Sequence, residues 1–316
     1  MGWSIPRILT FSLQLAVSAI CLIYALKGID SDLLRRAVKN YSIFHVAAAV
    51  LISILCIWLQ ALRLSLLFEP PLGLWEALRV TVLGLGLNNV LPAKGGEVLK
   101  VVYVNKSLSR PAHAAAAAVF FERFFDANCL YLLIALTLTD IAKGSLIRRM
   151  GVVFAVCWFL LIFFRCRPER FDAIWGAMPK LRGVKFFDGL KRHLLRDMTS
   201  RQLLKAWAAT LSVWAVYFAY TVYALMRVGD FNISIKAAAE VFLISAAGQL
   251  LPTAPGSLGV FEASVVWGLS LFGVGQEPAL GIAFLLRMIQ LVPTLAALVV
   301  LFVGKAGFLG IKRKKD

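Results

Sequence analysis

A broken hydrophobic phrase occurs once in each half of this chain, and it constrains the fold more than any other feature. The first copy reads LGLGLNNVLPAKGGE over residues 83–97, the second LISAAGQLLPTAPGSLGVFE over residues 243–262. An ungapped register pairs Trp75 with Ile235, Ala77 with Ala237, Leu83 with Leu243, Asn89 with Gln249, Leu91 with Leu251 and Pro92 with Pro252. Proline and glycine interrupt helices, because one lacks an amide proton and the other loses the most freedom on ordering. At membrane depth such a break must be buried in protein or line a polar cavity. Further along from each Leu-Pro pair an arginine sits inside another apolar run: Arg123 in AVFFERFFDANCLYLL and Arg287 in IAFLLRMIQLVPTL. Two halves, each with a broken helix and an embedded arginine, point to a duplicated transport scaffold with its site between the repeats. A chance match of Leu-Pro pairs is the alternative, and the shared placement of the arginines argues against it.

Hydrophobic residues make up 60% of the chain, charged residues 16%, and the mean hydropathy is +0.80. That composition belongs to an integral membrane protein. About 20 apolar residues are needed to cross roughly 30 Å of hydrocarbon. Residues 8–26, 41–67, 113–139, 150–165, 206–228 and 279–303 meet this as full-length spans. Residues 75–91 and 236–251 carry the broken motif, each followed by a further apolar piece at 97–104 and 258–273. The expectation is an all-α polytopic membrane protein of six spanning helices plus two re-entrant helical hairpins in an inverted repeat. Its organisation would be a first membrane repeat over 1–165 with a hairpin at 75–104, a basic linker over 166–205, a second repeat over 206–304 with a hairpin at 236–273, and a basic tail over 305–316. The first apolar segment is read as a span and not a cleavable signal, because no small-residue cleavage site follows it.

The net charge of +17 lies mostly outside the apolar runs: residues 165–205 hold eleven basic residues against four acidic ones, and the tail ends KRKK. Such segments stay on the cytoplasmic side, and they can also attract anionic headgroups at about 1 kcal/mol per basic residue. Orientation is the preferred explanation over a dedicated lipid dock. No basic module with interleaved aromatics suggests nucleic acid as a partner. With 165–205 and the tail inside, the second hairpin enters from the outer face and the first from the cytoplasm, and the N-terminus is inside. Lys27, Arg35, Arg36 and Lys39, with Lys143, Arg148 and Arg149, then fall outside. Either the first half has a different number of spans, or these loops hold lipid phosphates. The five cysteines form no CxxC pair, and His45, His113 and His193 are far apart in sequence, so neither a metal nor a cofactor is expected.

An ionisable group inside a span costs roughly 2.5–3.5 kcal/mol on insertion scales, so each calls for a partner or a polar path. Glu122 and Asp126 lie one helical turn apart, with Arg123 three residues before Asp126. The structural reading is a self-satisfied ion cluster that locks one helix to a neighbour. The functional reading has Arg123 held by an acid while it offers donors to a phosphate-bearing headgroup. Arg287 has no acid within a turn, so its partner must come from elsewhere, Glu262 or Gln249 being the natural choices, and this makes it the stronger candidate for binding substrate. Arg63 is read as an interfacial arginine that snorkels from a helix end. Pro293 should kink the helix that carries Arg287. In the first break Pro92, Gly95 and Gly96 reverse the chain, Lys94 lies in the turn and Glu97 falls in the first turn of the next helix, where the dipole favours it. In the second, Pro252, Pro255, Gly256 and Gly259 do the bending and Glu262 follows. Free amides at such helix starts can hold an anion.

The segments LNNVLPAKGGEVLK, FFERFFD, LPTAPGSLGVFEA and FLLR together resemble the signature of the lysylphosphatidylglycerol-synthase transmembrane, flippase-like family. That family includes the membrane half of the bacterial multiple peptide resistance factor and stand-alone members linked to hopanoid and isoprenoid-lipid pathways. Its LP-x-x-x-GE element falls on Leu91, Pro92, Gly96 and Glu97, and its ER-x-x-D element on Glu122, Arg123 and Asp126. Its P-x-P-G-x-x-G-x-x-E element falls on Pro252, Ala254, Pro255, Gly256, Gly259 and Glu262, with Thr253 in the first x position, and its late arginine on Arg287. Position 94 is Lys, where relatives vary. The resemblance implies a multi-pass protein of the bacterial inner membrane that handles a polar lipid. Few residues follow the last span, so no attached aminoacyl-transferase domain is expected.

Three functions remain open at this stage. The first is a lipid translocase, not an enzyme, whose phospholipid, hopanoid or isoprenoid-linked substrate is bound between the repeats by Arg123 and Arg287. Glu122, Asp126, Glu97, Glu262, Lys94, Asn89 and Gln249 would complete its site, and two buried arginines favour a phosphate-bearing lipid. The second is a membrane enzyme acting on polyprenyl-linked or phospholipid substrates, for which the four acids are present but no nucleophile–base pair. The third is a non-transporting scaffold for lipid-pathway enzymes.

Overall fold

Long apolar runs interrupted by proline and glycine can satisfy their backbone only as helices of unequal length, and that is the architecture found. The structure, a computed structural model, describes residues 5–91, 94–137, 145–176, 184–250 and 254–303. These form α1 (Ile5–Leu26), α2 (Ser31–Lys39), α3 (Ile43–Leu66), α4 (Leu74–Asn88), α5 (Gly95–Ser107), α6 (Ala112–Thr137) and α7 (Ser145–Cys166). They continue with α8 (Pro168–Gly176), α9 (Lys185–Arg192), α10 (Ser200–Tyr223), α11 (Ile235–Gly248), α12 (Val260–Ser270) and α13 (Gln276–Val303). No strand occurs among the described residues. Helix starts follow local chemistry. Asp30 accepts the amides of Asp32 and Leu33 ahead of α2, and Ser234 accepts that of Ala237 at 3.1 Å ahead of α11. Thr199 and Gln202 cap α10 reciprocally, each side chain taking the other's backbone N–H.

Among the described residues, four helices are long and apolar enough to cross a membrane: Ile43–Leu66, Ile147–Cys166, Ser200–Val228 and Gln276–Val300. Helix α6 has 26 residues, long enough to span, but Glu122, Arg123 and Asp126 dilute its apolar character. The motif helices are short. At 1.5 Å per residue, the 15 residues of α4 and the 14 of α11 reach only about 22 Å, and the 13 of α5 and 11 of α12 still less. None of the four alone covers roughly 30 Å of hydrocarbon.

The chain forms two compact units whose segments interleave: Met1–Ile57, Val82–Glu97 and Trp214–Leu301 in the first, Trp58–Thr81, Val98–Val213 and Phe302–Asp316 in the second. In the first unit α12 packs against α11 and α1. Its core gathers Tyr220, Leu225, Val241, Phe261, Leu269, Leu280 and Ile282, and the Tyr220 hydroxyl donates to the Leu286 carbonyl at 2.7 Å. Helix α13 runs unbroken through Pro293. In the second unit α9 packs against α6, around Leu64, Leu67, Phe68, Phe121, Phe125 and Met198. Trp158 and Trp207 extend that core, Trp158 stacking on Phe125 and donating to Asn128 at 3.0 Å.

Residues 166–205, the basic linker of the sequence reading, carry short helices where they are described. Helices α8 and α9 and a π turn at His193–Asp197 occupy most of the described part, and His193 and Met198 are buried. Net charge masked the alternation of Phe, Leu and Trp with the basic residues, which gives these short helices an inner face.

Candidate functional site

Arg287 of α13 gathers the second break around itself. Its Nε donates to Glu262, Nη2 donates to Glu262 Oε2 at 3.0 Å and to the Ser257 carbonyl at 3.0 Å, and Nη1 donates to the Gly256 carbonyl at 2.5 Å. Glu262, fully buried in the first turn of α12, also accepts the Gly259 amide at 2.8 Å. The guanidinium lies 5.2 Å from the Phe261 ring, within cation–π range. One planar fork therefore neutralises a buried carboxylate and ties down the carbonyls of a turn whose backbone is left-handed at Gly256, Ser257 and Gly259. The pairing of Arg287 with Glu262 is the one expected from sequence. All three guanidinium nitrogens are engaged within the chain, so the arginine also holds the shape of the turn.

The first break is built differently. Glu97 lies in the first turn of α5 and accepts Asn88 Nδ2 at 3.2 Å. Gly96 is where α5 crosses α4: a Cβ there would collide with the Gly84 carbonyl and come within 2.6 and 2.8 Å of the Asn88 Oδ1 and backbone nitrogen. Lys94 is exposed, with a left-handed φ of 53°. Asn89 donates to the Leu85 carbonyl at 3.0 Å, and its own backbone and Oδ1 lie against Gly256. The two breaks thus meet within the first unit, Asn89 on one side and Gly256 on the other. Gln249, the counterpart of Asn89, caps its own helix by donating to the Ser245 carbonyl at 3.4 Å.

The second unit holds a larger ion network. Arg63 of α3 donates to Asp126 Oδ1 at 2.5 Å and to Glu122 Oε1 at 3.2 Å. Lys100 of α5 donates to the other oxygen of Glu122 at 3.0 Å, and Arg123 lies 3.6 Å from Asp126 Oδ2. Arg63, Glu122 and Lys100 are almost wholly buried, whereas the Arg123 side chain is 44% exposed. Arg63, Lys100 and Arg123 thus gather around the carboxylates of Glu122 and Asp126. Arg63 therefore does not snorkel: at 1% exposure it is the centre of the network. The misreading has a physical cause, since proximity to a helix end matters only if that end faces water, and here two carboxylates from α6 reach it first.

Glu122, Arg123 and Asp126 are thus brought together as the ER-x-x-D spacing implied, joined by Arg63 and Lys100. Lys100 was missed, although a lysine in the apolar run EVLKVVYV is as conspicuous as an embedded arginine. Arg287, Glu262, Gly256, Gly259 and Asn89 form a second group, with Pro255 opening the 3-10 turn; Gly95, Gly96 and Glu97 form a third. Pro92 and Pro252 lie outside the described residues. Arg123 belongs to the second unit and Arg287 to the first.

Apolar spans, helices broken at Pro-Gly turns and buried ions that are paired within the chain define a polytopic α-helical membrane protein. The chain matches the family described as the lysylphosphatidylglycerol synthase TM region over residues 11–297, and it belongs to that family. Among curated relatives it is similar to a UPF0104 membrane protein of Methanothermobacter thermautotrophicus, 24% identical over 305 residues covering 87% of this chain and 88% of that protein. A second UPF0104 membrane protein, from Methanocaldococcus jannaschii, is 23% identical over 220 residues, 65% of this chain and 87% of its own length.

Proposed function

We propose that the chain is a lipid translocase, moving a lipid with a polar or anionic headgroup across the membrane in which it is embedded. The observation that carries this reading is the ion network of α3, α5 and α6: Arg63, Lys100 and Arg123 gathered on Glu122 and Asp126 within apolar runs, with Arg123 at its half-exposed edge. A half-exposed guanidinium can meet a phosphate through two parallel N–H donors. Arg63 and Lys100 hold Glu122 and Asp126 in place beside it. The phosphate headgroup meets Arg123, and Arg287 keeps the second break in shape. In this reading α4–α5 and α11–α12 are half-membrane hairpins of an inverted repeat entering from opposite faces, consistent with helices too short to span.

The test is reconstitution of the full chain in liposomes carrying a headgroup-labelled anionic lipid. Wild type should equilibrate the label between leaflets, and Arg123→Ala should slow this at least tenfold while the protein stays folded. Chemical conversion of the lipid would instead indicate an enzyme. No exchange by folded wild type would leave a scaffold.

A further inference from the structure

A second basic site lies in the segment that composition had left as a linker. A cavity of about 370 Å³ opens between the start of α6 and helices α8 and α9, lined by Lys185, Lys191, Arg192 and Arg196 together with Asp172 and Asp188. Asp172 holds two of the cations at once: Lys191 Nζ donates to one oxygen at 3.0 Å and Arg196 Nη2 to the other at 2.6 Å. Asp188 accepts the Trp175 indole N–H at 2.9 Å, and Lys191 sits 5.7 Å from the centre of that ring. Gly189 lets α9 close on α6, since a Cβ there would come 2.5 Å from the His113 ring. Four cations line the cavity against two carboxylates. Even counting Asp197, which Arg192 approaches at 3.5 Å, one positive charge stays in excess.

We infer that this cavity binds a phosphate monoester group, independently of the translocase reading and of Arg123. Such a group carries about −1.5 to −2 charge at neutral pH and three acceptor oxygens. One carboxylate already gathers the heads of Lys191 and Arg196, so little side-chain freedom is lost when an anion arrives. Ile174 of α8, Phe186 of α9 and Val184, just ahead of α9, are exposed. Basic residues beside exposed apolar ones are the pattern of a segment lying in a membrane interface, where the phosphate would be a lipid headgroup.

Calorimetric titration of the lipid-stripped full chain in uncharged detergent tests this, with dihexanoyl phosphatidic acid, dihexanoyl phosphatidylcholine and inorganic phosphate as probes. Phosphatidic acid should bind saturably, and Lys191→Ala/Arg196→Ala should weaken binding at least tenfold. Arg123→Ala should leave this site as it is, so its failure and that of the translocase reading are separable. Competition by inorganic phosphate would show that the group alone suffices; binding of phosphatidic acid without such competition would assign a lipid headgroup. If the double variant unfolds, Lys185→Gln serves instead, with a several-fold loss expected. Equal binding of phosphatidylcholine, or unchanged binding by a folded double variant, overturns the proposal.

Discussion

At the residue scale the two most informative arginines do opposite work. Arg63 is buried between Glu122 and Asp126, and removing one member of a buried ion pair strands the other in a medium that cannot solvate it. Arg63→Ala should therefore destabilise the protein by about 3–5 kcal/mol, read as a large drop in unfolding temperature in detergent. Arg123 is nearly half exposed, and the Asp126 carboxylate it approaches at 3.6 Å is also held by Arg63, so the fold leans on it less than on Arg63. Arg123→Ala should lower the unfolding temperature far less than Arg63→Ala while slowing lipid exchange at least tenfold. The reverse pattern, a destabilised Arg123 variant and a tolerant Arg63 one, would mean that the accessible edge of the network has been misassigned.

At the element scale the breaks depend on how closely short helices approach. Gly96→Ala sets a methyl against the Gly84 carbonyl and the Asn88 backbone, neither of which can swing away. Overpacking of this kind should cost roughly 1–3 kcal/mol. Gly248→Ala is the comparison: its methyl meets the Ser264 hydroxyl, the end of a side chain that can rotate, so the loss should be smaller by the same unfolding measurement. Helices α8 and α9 add a pH dependence. The hydrogen bond from Lys191, then the charges of Lys191 and Arg196, hold the Asp172 carboxyl below its usual range. A depressed folded value contributes stability that is present above the unfolded value and lost as pH falls through the folded one. Hydrogen exchange of residues 185–197, corrected for intrinsic rates, should accelerate only below about pH 4, the ordinary aspartate value, and Asp172→Asn should remove that dependence.

At the scale of the whole molecule, charge sets orientation. Residues 165–205 and the C-terminal KRKK concentrate basic charge, and the topology proposed from the positive-inside rule would have both on the cytoplasmic side. A cysteine at Lys185, in a background without the five native thiols, should react with a membrane-impermeant reagent only when the cytoplasmic face is exposed. Labelling from the opposite face would invert the proposed topology and with it the entry side of both hairpins.

Much of this was legible along the chain, and the reason is local. Apolar run length determined the helices, proline and glycine determined where they stop, and the acid after the second break was one of two candidate partners for Arg287, Gln249 being the other. The sequence by itself therefore determined a helical membrane protein with two interrupted copies of one motif. What tertiary structure alone decided is which charges neutralise which. Arg63 and Lys100 are far from Glu122 in sequence, and only the packing of α3 and α5 against α6 brings their heads to it. Charge pairing acts through space over a few ångströms, whereas spacing along a chain reports neighbours on one helix; that Asp126 is shared by Arg63 and Arg123 could be read only after the helices had met.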